Sequence, residues 1–371
     1  MLQESLTLWQ GVFNIVLWGI IVWILSPALK YPYILSKAAK FWGIVFIVLF
    51  CLFLFWGGDY FHYKEYFYEI QRGGYSKMEE VYTWIIENFG YSYTFFRLIV
   101  WGGALFALFT AYKRVGNSFD LMLFYFGALF LPIFSYARVS VSIAFVMLGM
   151  SFVYKPIKHF RLGSILLGFA IVACSIFFHR SAVIGIAGFL ATLLLIYNSK
   201  WKTILVVLLI PVFAYLASNL LNSFFDIDFS SADEQLNRRR DDYLSGTARY
   251  KGIGERISSL LTYLPMYLSA VAYIIQVSKK HYNTFSISER GFASFVFALM
   301  LLALVFSIDL GYNTSVLYYR SIYFAMPANA VFLSVMTRNG YNKGLMKTIL
   351  WIGLLSVAYN LLYATYQAFL G

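Results

Sequence analysis

PIFSYARVSVSIAFVMLGMSFVYKPIKHFRLGSILLGFAIVACSIFFHRS, residues Pro132 to Ser181, holds two apolar runs, Val139 to Tyr154 and Leu162 to Phe178. A short basic turn carrying Lys155, Lys158 and Arg161 joins them. Each run is near the minimum length that crosses a bilayer. If the first goes down and the second returns, Arg138 and the pair His179-Arg180 emerge on one face. Ionisable groups at that depth are costly to keep and mark function.

Outward from this hairpin the pattern repeats. The chain of 371 residues is 61% hydrophobic and 12% charged, too apolar for a soluble domain. Apolar runs of about 17 to 22 residues ended by Lys, Arg, Pro or Gly predict an all-α, polytopic integral membrane protein of about twelve transmembrane helices. The expected spans are 9–29, 41–57, 93–111, 119–135, 139–154, 162–178, 181–197, 203–221, 257–277, 291–308, 320–336 and 348–368. Residues 1–371 read as a single transmembrane domain without internal repeats, and Trp9 to Leu25 as a retained first helix rather than a signal peptide. No alternation of polar and apolar residues suggests a β-barrel. Cys51 and Cys174 lie in separate apolar runs and read as buried packing residues, not a disulfide.

Alternate loops differ in charge. One set, from Lys30 to Lys40 through to Arg338 to Lys347, holds sixteen Lys and Arg against Asp120 and Glu289, a net +14. The rest of the chain carries −2. The first set is therefore expected to be cytoplasmic, with both termini outside. The net charge of +12 thus reflects topology, and no nucleic-acid partner is implied.

Two outer loops are long. Residues 58–91 include Tyr75 to Phe89, where Met78, Val81, Ile85 and Phe89 form one stripe of an amphipathic helix expected to lie flat in the interface. Residues 222–256 are the most polar stretch and hold Arg238, Arg239, Arg240 and Arg249, either a solvated loop or an anion-binding cap over the active site.

Missing motifs exclude several chemistries. There is no Walker A loop, no complete GxGxxG, no HExxH pair and no GxSxG elbow; Asp226-Ile227-Asp228 sits in an outer loop. What remains is a set of outer arginines: Arg138, Arg180, the Arg238 to Arg249 cluster, and Arg320 after Tyr318 and Tyr319. Arginine forks bind phosphate bidentately, so this set suits a lipid-linked pyrophosphate at headgroup depth. The alternative is that each arginine snorkels to the interface. Outer tyrosines, Tyr60, Tyr63, Tyr318 and Tyr319 among them, form either an interfacial belt or stacking faces for sugars.

Asp59-Tyr60 with Tyr63, Arg138 at the head of a small-residue-rich helix, the Phe178-His179-x-Ser181 junction and Tyr319-Arg320 are together similar to a known pattern. The sequence resembles the EpsG family of Wzy-type polysaccharide polymerases. Arg138 and Gly149 also have the R-x10-G spacing of such enzymes, a match that 26 glycines in 371 residues produce by chance about one time in fourteen.

The resemblance implies a GT-C-like helical bundle in the bacterial inner membrane with its site facing the periplasm or cell exterior. It implies a glycosyltransferase that moves a growing glycan from undecaprenyl pyrophosphate onto the next lipid-linked repeat unit, without metal or cofactor. Its implied partners are those lipid-linked oligosaccharides, the bilayer, and a chain-length regulator and flippase of the same pathway. On this reading Arg138, Arg320 and the loop arginines clamp the pyrophosphate, with Arg180, Tyr319, Tyr60 and Tyr63 binding substrate. His179 accepts or orients the acceptor hydroxyl's proton, and Asp59 is the competing base. A flippase for the same lipid, an O-antigen-ligase-like transferase and, last, an O-acyltransferase are the other readings.

Overall fold

The computed structural model describes residues 8–53, 57–74, 78–116, 118–134, 137–209, 212, 253–308 and 312–370; of residues 57–62, 137, 138, 253–262, 307, 308, 312–317 and 367–370 it describes the backbone. Among them the chain is all helical. The helices are α1 (Leu8–Leu25), α2 (Lys37–Phe53), α3 (Gly57–Gln71), α4 (Glu80–Phe89), α5 (Tyr93–Val115), α6 (Phe119–Tyr125), α7 (Leu131–Phe134), α8 (Ala137–Tyr154), α9 (Arg161–Cys174), α10 (Ala182–Leu195), α11 (Lys200–Leu208), α12 (Ile253–Ser278), α13 (Ile287–Ile308), α14 (Tyr312–Arg338) and α15 (Lys343–Leu370). A π-helical segment, Phe126–Phe130, joins α6 to α7 without a break.

Each expected span overlaps a helix, although 203–221 is described only in its first part. Among the described residues, five stretches are long and apolar enough to cross a membrane: Leu8–Leu29, Tyr93–Val115, Lys158–Phe177, Ile287–Phe306 and Lys343–Tyr366. The outward faces of the helices are apolar. Trp9, Trp23, Phe106, Leu194 and Trp201 each leave more than three-quarters of their surface uncovered, which a hydrocarbon surround stabilises and water does not.

The loop of residues 58–91 departs from expectation in two ways. Its polar first half is itself a helix, α3. The amphipathic helix is α4, and its docked face is Met78, Tyr82 and Ile86 rather than the Met78-Val81-Ile85-Phe89 stripe; Phe89 is exposed. The Tyr82 ring packs edge-on to Phe96 of α5 and so rotates the helix. Cys51 is buried as expected, but Cys174 is exposed on the outward side of α9 beside Phe177. The polar loop of residues 222–256 ends in helix, since α12 begins at Ile253; Arg238, Arg239, Arg240 and Arg249 lie outside the described residues.

The two runs from Val139 to Phe178 form the expected helical hairpin. α8 and α9 run antiparallel with their backbones in contact at two glycines. A Cβ on Gly149 would lie 2.5 Å from the Gly168 carbonyl oxygen, and one on Gly168 would lie 2.7 Å from that of Gly149. Small residues allow this approach, and dispersion holds it.

The basic loops gather at one end of the bundle, as their charge predicts. Asp120 at the start of α6 pairs with Lys40 of α2 at 2.7 Å and accepts the Leu35 backbone N–H at 2.9 Å. Glu289 at the start of α13 pairs with Arg338 of α14 at 2.8 Å and accepts the Ser286 N–H at 2.8 Å. Arg114 lies 3.8 Å from the Phe152 ring centroid and donates to the Lys155 carbonyl at 2.7 Å. Tyr282, whose hydroxyl pKa burial pushes up, stays protonated and meets the Leu195 carbonyl at the end of α10, 3.2 Å away. Both acids of this set thus staple one basic loop to another.

Two outcomes test these contacts. Gly149→Ala, measured as the thermal midpoint in detergent, is expected to lose about 1–3 kcal/mol, while Gly103→Ala, with open space around its Cβ, is expected to match wild type. Equal midpoints would mean that the glycine approach is not what holds the hairpin. Lys40→Met leaves the Asp120 carboxylate buried without its partner and is expected to cost about 3 kcal/mol in the same measurement.

Candidate active site

The end opposite the basic loops holds the His179-Arg180 turn, Arg320 and the first turn of α8. Three helices share a layer there. A Cβ on Gly185 of α10 would press on the Phe324 ring of α14 at 2.5 Å and on Val146 of α8 at 3.2 Å. All three helices run from this end toward the basic end. One turn outward from the layer, about 5.4 Å, therefore lie Ser181, Arg320 and Ser142. Ser142 donates to the Ser175 carbonyl at 2.8 Å, which ties α8 to the end of α9. Residue 138 sits one turn beyond Ser142, in the first turn of α8. The hairpin thus brings the backbone of residue 138, the His179-Arg180 turn and Arg320 to one end.

The His179 turn is built by its own backbone. The His179 carbonyl accepts from the Ala182 N–H at 2.9 Å and that of Ser181 from Ile184 at 3.0 Å, which starts α10. The imidazole Nδ1 accepts the Ser181 N–H at 3.0 Å. A ring nitrogen that accepts carries no proton, so the neutral ring bears its proton on Nε2. His179 is half-buried, with its Nδ1 turned to the backbone of its own turn. Arg180 beside it is exposed.

Rings fill the space around this turn. Phe178 packs against Phe145 at 4.5 Å and against Tyr82 of α4 at 6.4 Å. Tyr82 continues to Phe96, and Phe96 to Phe67 of α3 at 5.7 Å. Tyr63, one turn before Phe67, is buried on α3. On the α14 side, Tyr319 lies 5.5 Å from Tyr263, Tyr318 bonds the Tyr267 hydroxyl at 3.0 Å, and the Arg320 guanidinium lies 5.9 Å from the Tyr323 ring. Residues 59 and 60 fall in the first turn of α3 and residue 138 in that of α8, where the backbone alone is described. Arg238, Arg239, Arg240 and Arg249 lie outside the described residues.

One residue was missed by sequence reasoning. Arg97, in the first turns of α5, is 3% exposed; it donates to the Cys51 carbonyl at 2.6 Å, with Trp101 at 4.8 Å and Tyr93 at 5.9 Å. It shares the ring cluster with Phe96 and Tyr93 and so adjoins the α3–α4 cover of the site. Its signal was visible, a lone cation inside the apolar run 93–111. Among the described residues, no group of three His, Cys, Asp or Glu is placed to hold a metal ion.

A family model described as the EpsG family matches residues 39–370. Among curated proteins and among solved structures nothing matches.

Tyr82 is the link between α4 and the His179 turn. Tyr82→Ala is expected to cost about 3–5 kcal/mol and to release α4, read as faster amide exchange over residues 80–89. Unchanged protection there would remove the ring cluster as the support of this turn.

Proposed function

The chain belongs to the EpsG family, and from that membership we propose a polysaccharide polymerase that transfers a growing glycan from undecaprenyl pyrophosphate onto the next lipid-linked repeat unit. The observation that supports it is the convergence of the His179-Arg180 turn, Arg320 and the first turn of α8 at the end opposite the basic loops. By the charge rule that end faces the periplasm or cell exterior.

An acceptor sugar hydroxyl attacks the anomeric carbon of the donor. The new C–O bond forms as the bond from that carbon to the pyrophosphate oxygen breaks, and negative charge grows on the leaving group. Arg320, Arg138 and arginines of the Arg238 to Arg249 cluster meet that charge, because a guanidinium stays protonated and binds phosphate with two parallel donors. Arg180 reaches the same headgroup level from the exposed side. His179, held in its turn by the Ser181 N–H, orients the acceptor hydroxyl. The hydroxyl's proton goes to a carboxylate, for which Asp59 on α3 is the candidate. Tyr60 and Tyr319 supply ring faces for the sugars, whereas Tyr63, buried on α3, packs into the protein. The reaction needs no metal on this reading, because arginines supply the positive charge. An Arg-lined flippase for the same lipid is the second reading, and the ladder assay separates the two.

Purified protein in nanodiscs, given an undecaprenyl pyrophosphate-linked repeat unit with chelator and no nucleotide, is expected to form a ladder of polymers on a gel. Arg320→Ala is expected to lower the rate about 10²- to 10³-fold and His179→Ala about 10²-fold, with unchanged thermal midpoints. Absence of any ladder, together with movement of the lipid across a sealed vesicle, would assign a flippase instead.

A further inference from the structure

At the basic end, far from the site above, a cavity of about 450 Å³ opens between the turn after α1, the end of α14 and the start of α15. Its apolar floor is Met336, Met346 and Leu350. The Tyr125 hydroxyl, bonded to that of Thr337 at 2.6 Å, adds a polar wall. Lys343 and Lys347 stand at its rim, and Trp351, largely exposed, flanks them on the outward face of α15.

The charge balance of this end singles out the two lysines. Its acids, Asp120 and Glu289, are both engaged, by Lys40 and by Arg338. Among the described residues, neither Lys343 nor Lys347 meets a carboxylate. Four residues apart on one helix, they face the same way and repel each other, which costs a few tenths of a kcal/mol when nothing lies between them. An anion between them reverses that sign. The neighbouring cavity is apolar below and hydroxyl-bearing above, and it opens at the first turns of a helix apolar enough to cross a membrane.

We propose that this cavity binds an anionic phospholipid of the leaflet at the basic end. The phosphate sits between Lys343 and Lys347, and an acyl chain runs over Leu350 and Trp351. Basic pockets between membrane helices on the positively charged side suit such headgroups. A zwitterionic lipid offers the same chains but no net charge. Free phosphate offers the charge but nothing for the apolar floor.

The test uses the full-length protein in detergent, with phosphatidylglycerol, phosphatidylcholine and inorganic phosphate as probes and binding followed by native mass spectrometry and thermal shift. Phosphatidylglycerol is expected to bind at least tenfold more tightly than phosphatidylcholine. The pair Lys343→Gln and Lys347→Gln is expected to lower its affinity about thirtyfold, the combined weight of two lysines at a charged surface. The pair Lys155→Gln and Lys158→Gln removes the same charge from exposed residues of another loop at this end and is expected to change it less than twofold. Wild-type affinity in the first pair, an equal loss in the second, or an equal thermal shift from inorganic phosphate would each overturn the lipid site. The readout is binding, so it stands or falls apart from the polymerase activity.

Discussion

A charge inside hydrocarbon must be paired, hydrogen-bonded or moved to an edge, and this molecule is ordered by that demand. The acids of the basic end have been drawn into ion pairs that join loops distant in sequence, Lys40 with Asp120 and Arg338 with Glu289. Breaking either would leave a buried carboxylate costing several kcal/mol, so these pairs hold the loops in place. Arg97 answers the same demand differently. It lies within a long apolar helix and reaches the Cys51 carbonyl while two aromatic rings cover it. A leucine would fill that volume at less cost, and keeping a guanidinium there points to a role for its charge beside the site.

The second organising feature is steric. Gly149 and Gly168 let α8 and α9 touch backbone to backbone. With that contact as pivot, the two free ends of the hairpin meet at one level, tied by Ser142 and Ser175. The glycine of the R-x10-G spacing thus has a mechanical reading: it positions the helix whose first turn carries the arginine.

Helices were legible because lipid allows almost no other backbone, and a run of 17 or more apolar residues declares itself. Which loops share an end was legible from Lys and Arg alone, and contacts such as Arg114 to Lys155 and Thr284 to Tyr341 bear it out. Less was legible where partners decide. The docked face of α4 depends on Phe96 of another helix, so counting apolar positions gave a stripe rotated from the true one. α3 was hidden because a helix covering a site is polar and short of periodicity. Cys174 was taken as buried because its run is apolar, yet apolar in a membrane includes facing lipid. His179 was visible as a residue, but its proton position follows from the Ser181 backbone N–H, which no sequence pattern displays.

The stretch from Phe119 to Phe134 is covered by protein at nearly every residue, π segment included. Trp18 from the beginning of the chain donates to the Ala128 carbonyl inside it, and Tyr125 bonds Thr337 from near the end. A segment with no side left for lipid cannot reach its final surroundings while synthesis is under way. It waits for helices made some two hundred residues later, so the ribosome must finish α14 and α15 before this central span has its walls. Assembly in the membrane is thus a closing of the last helices onto the first, and a nascent chain cut short of Tyr312 leaves this central span uncovered.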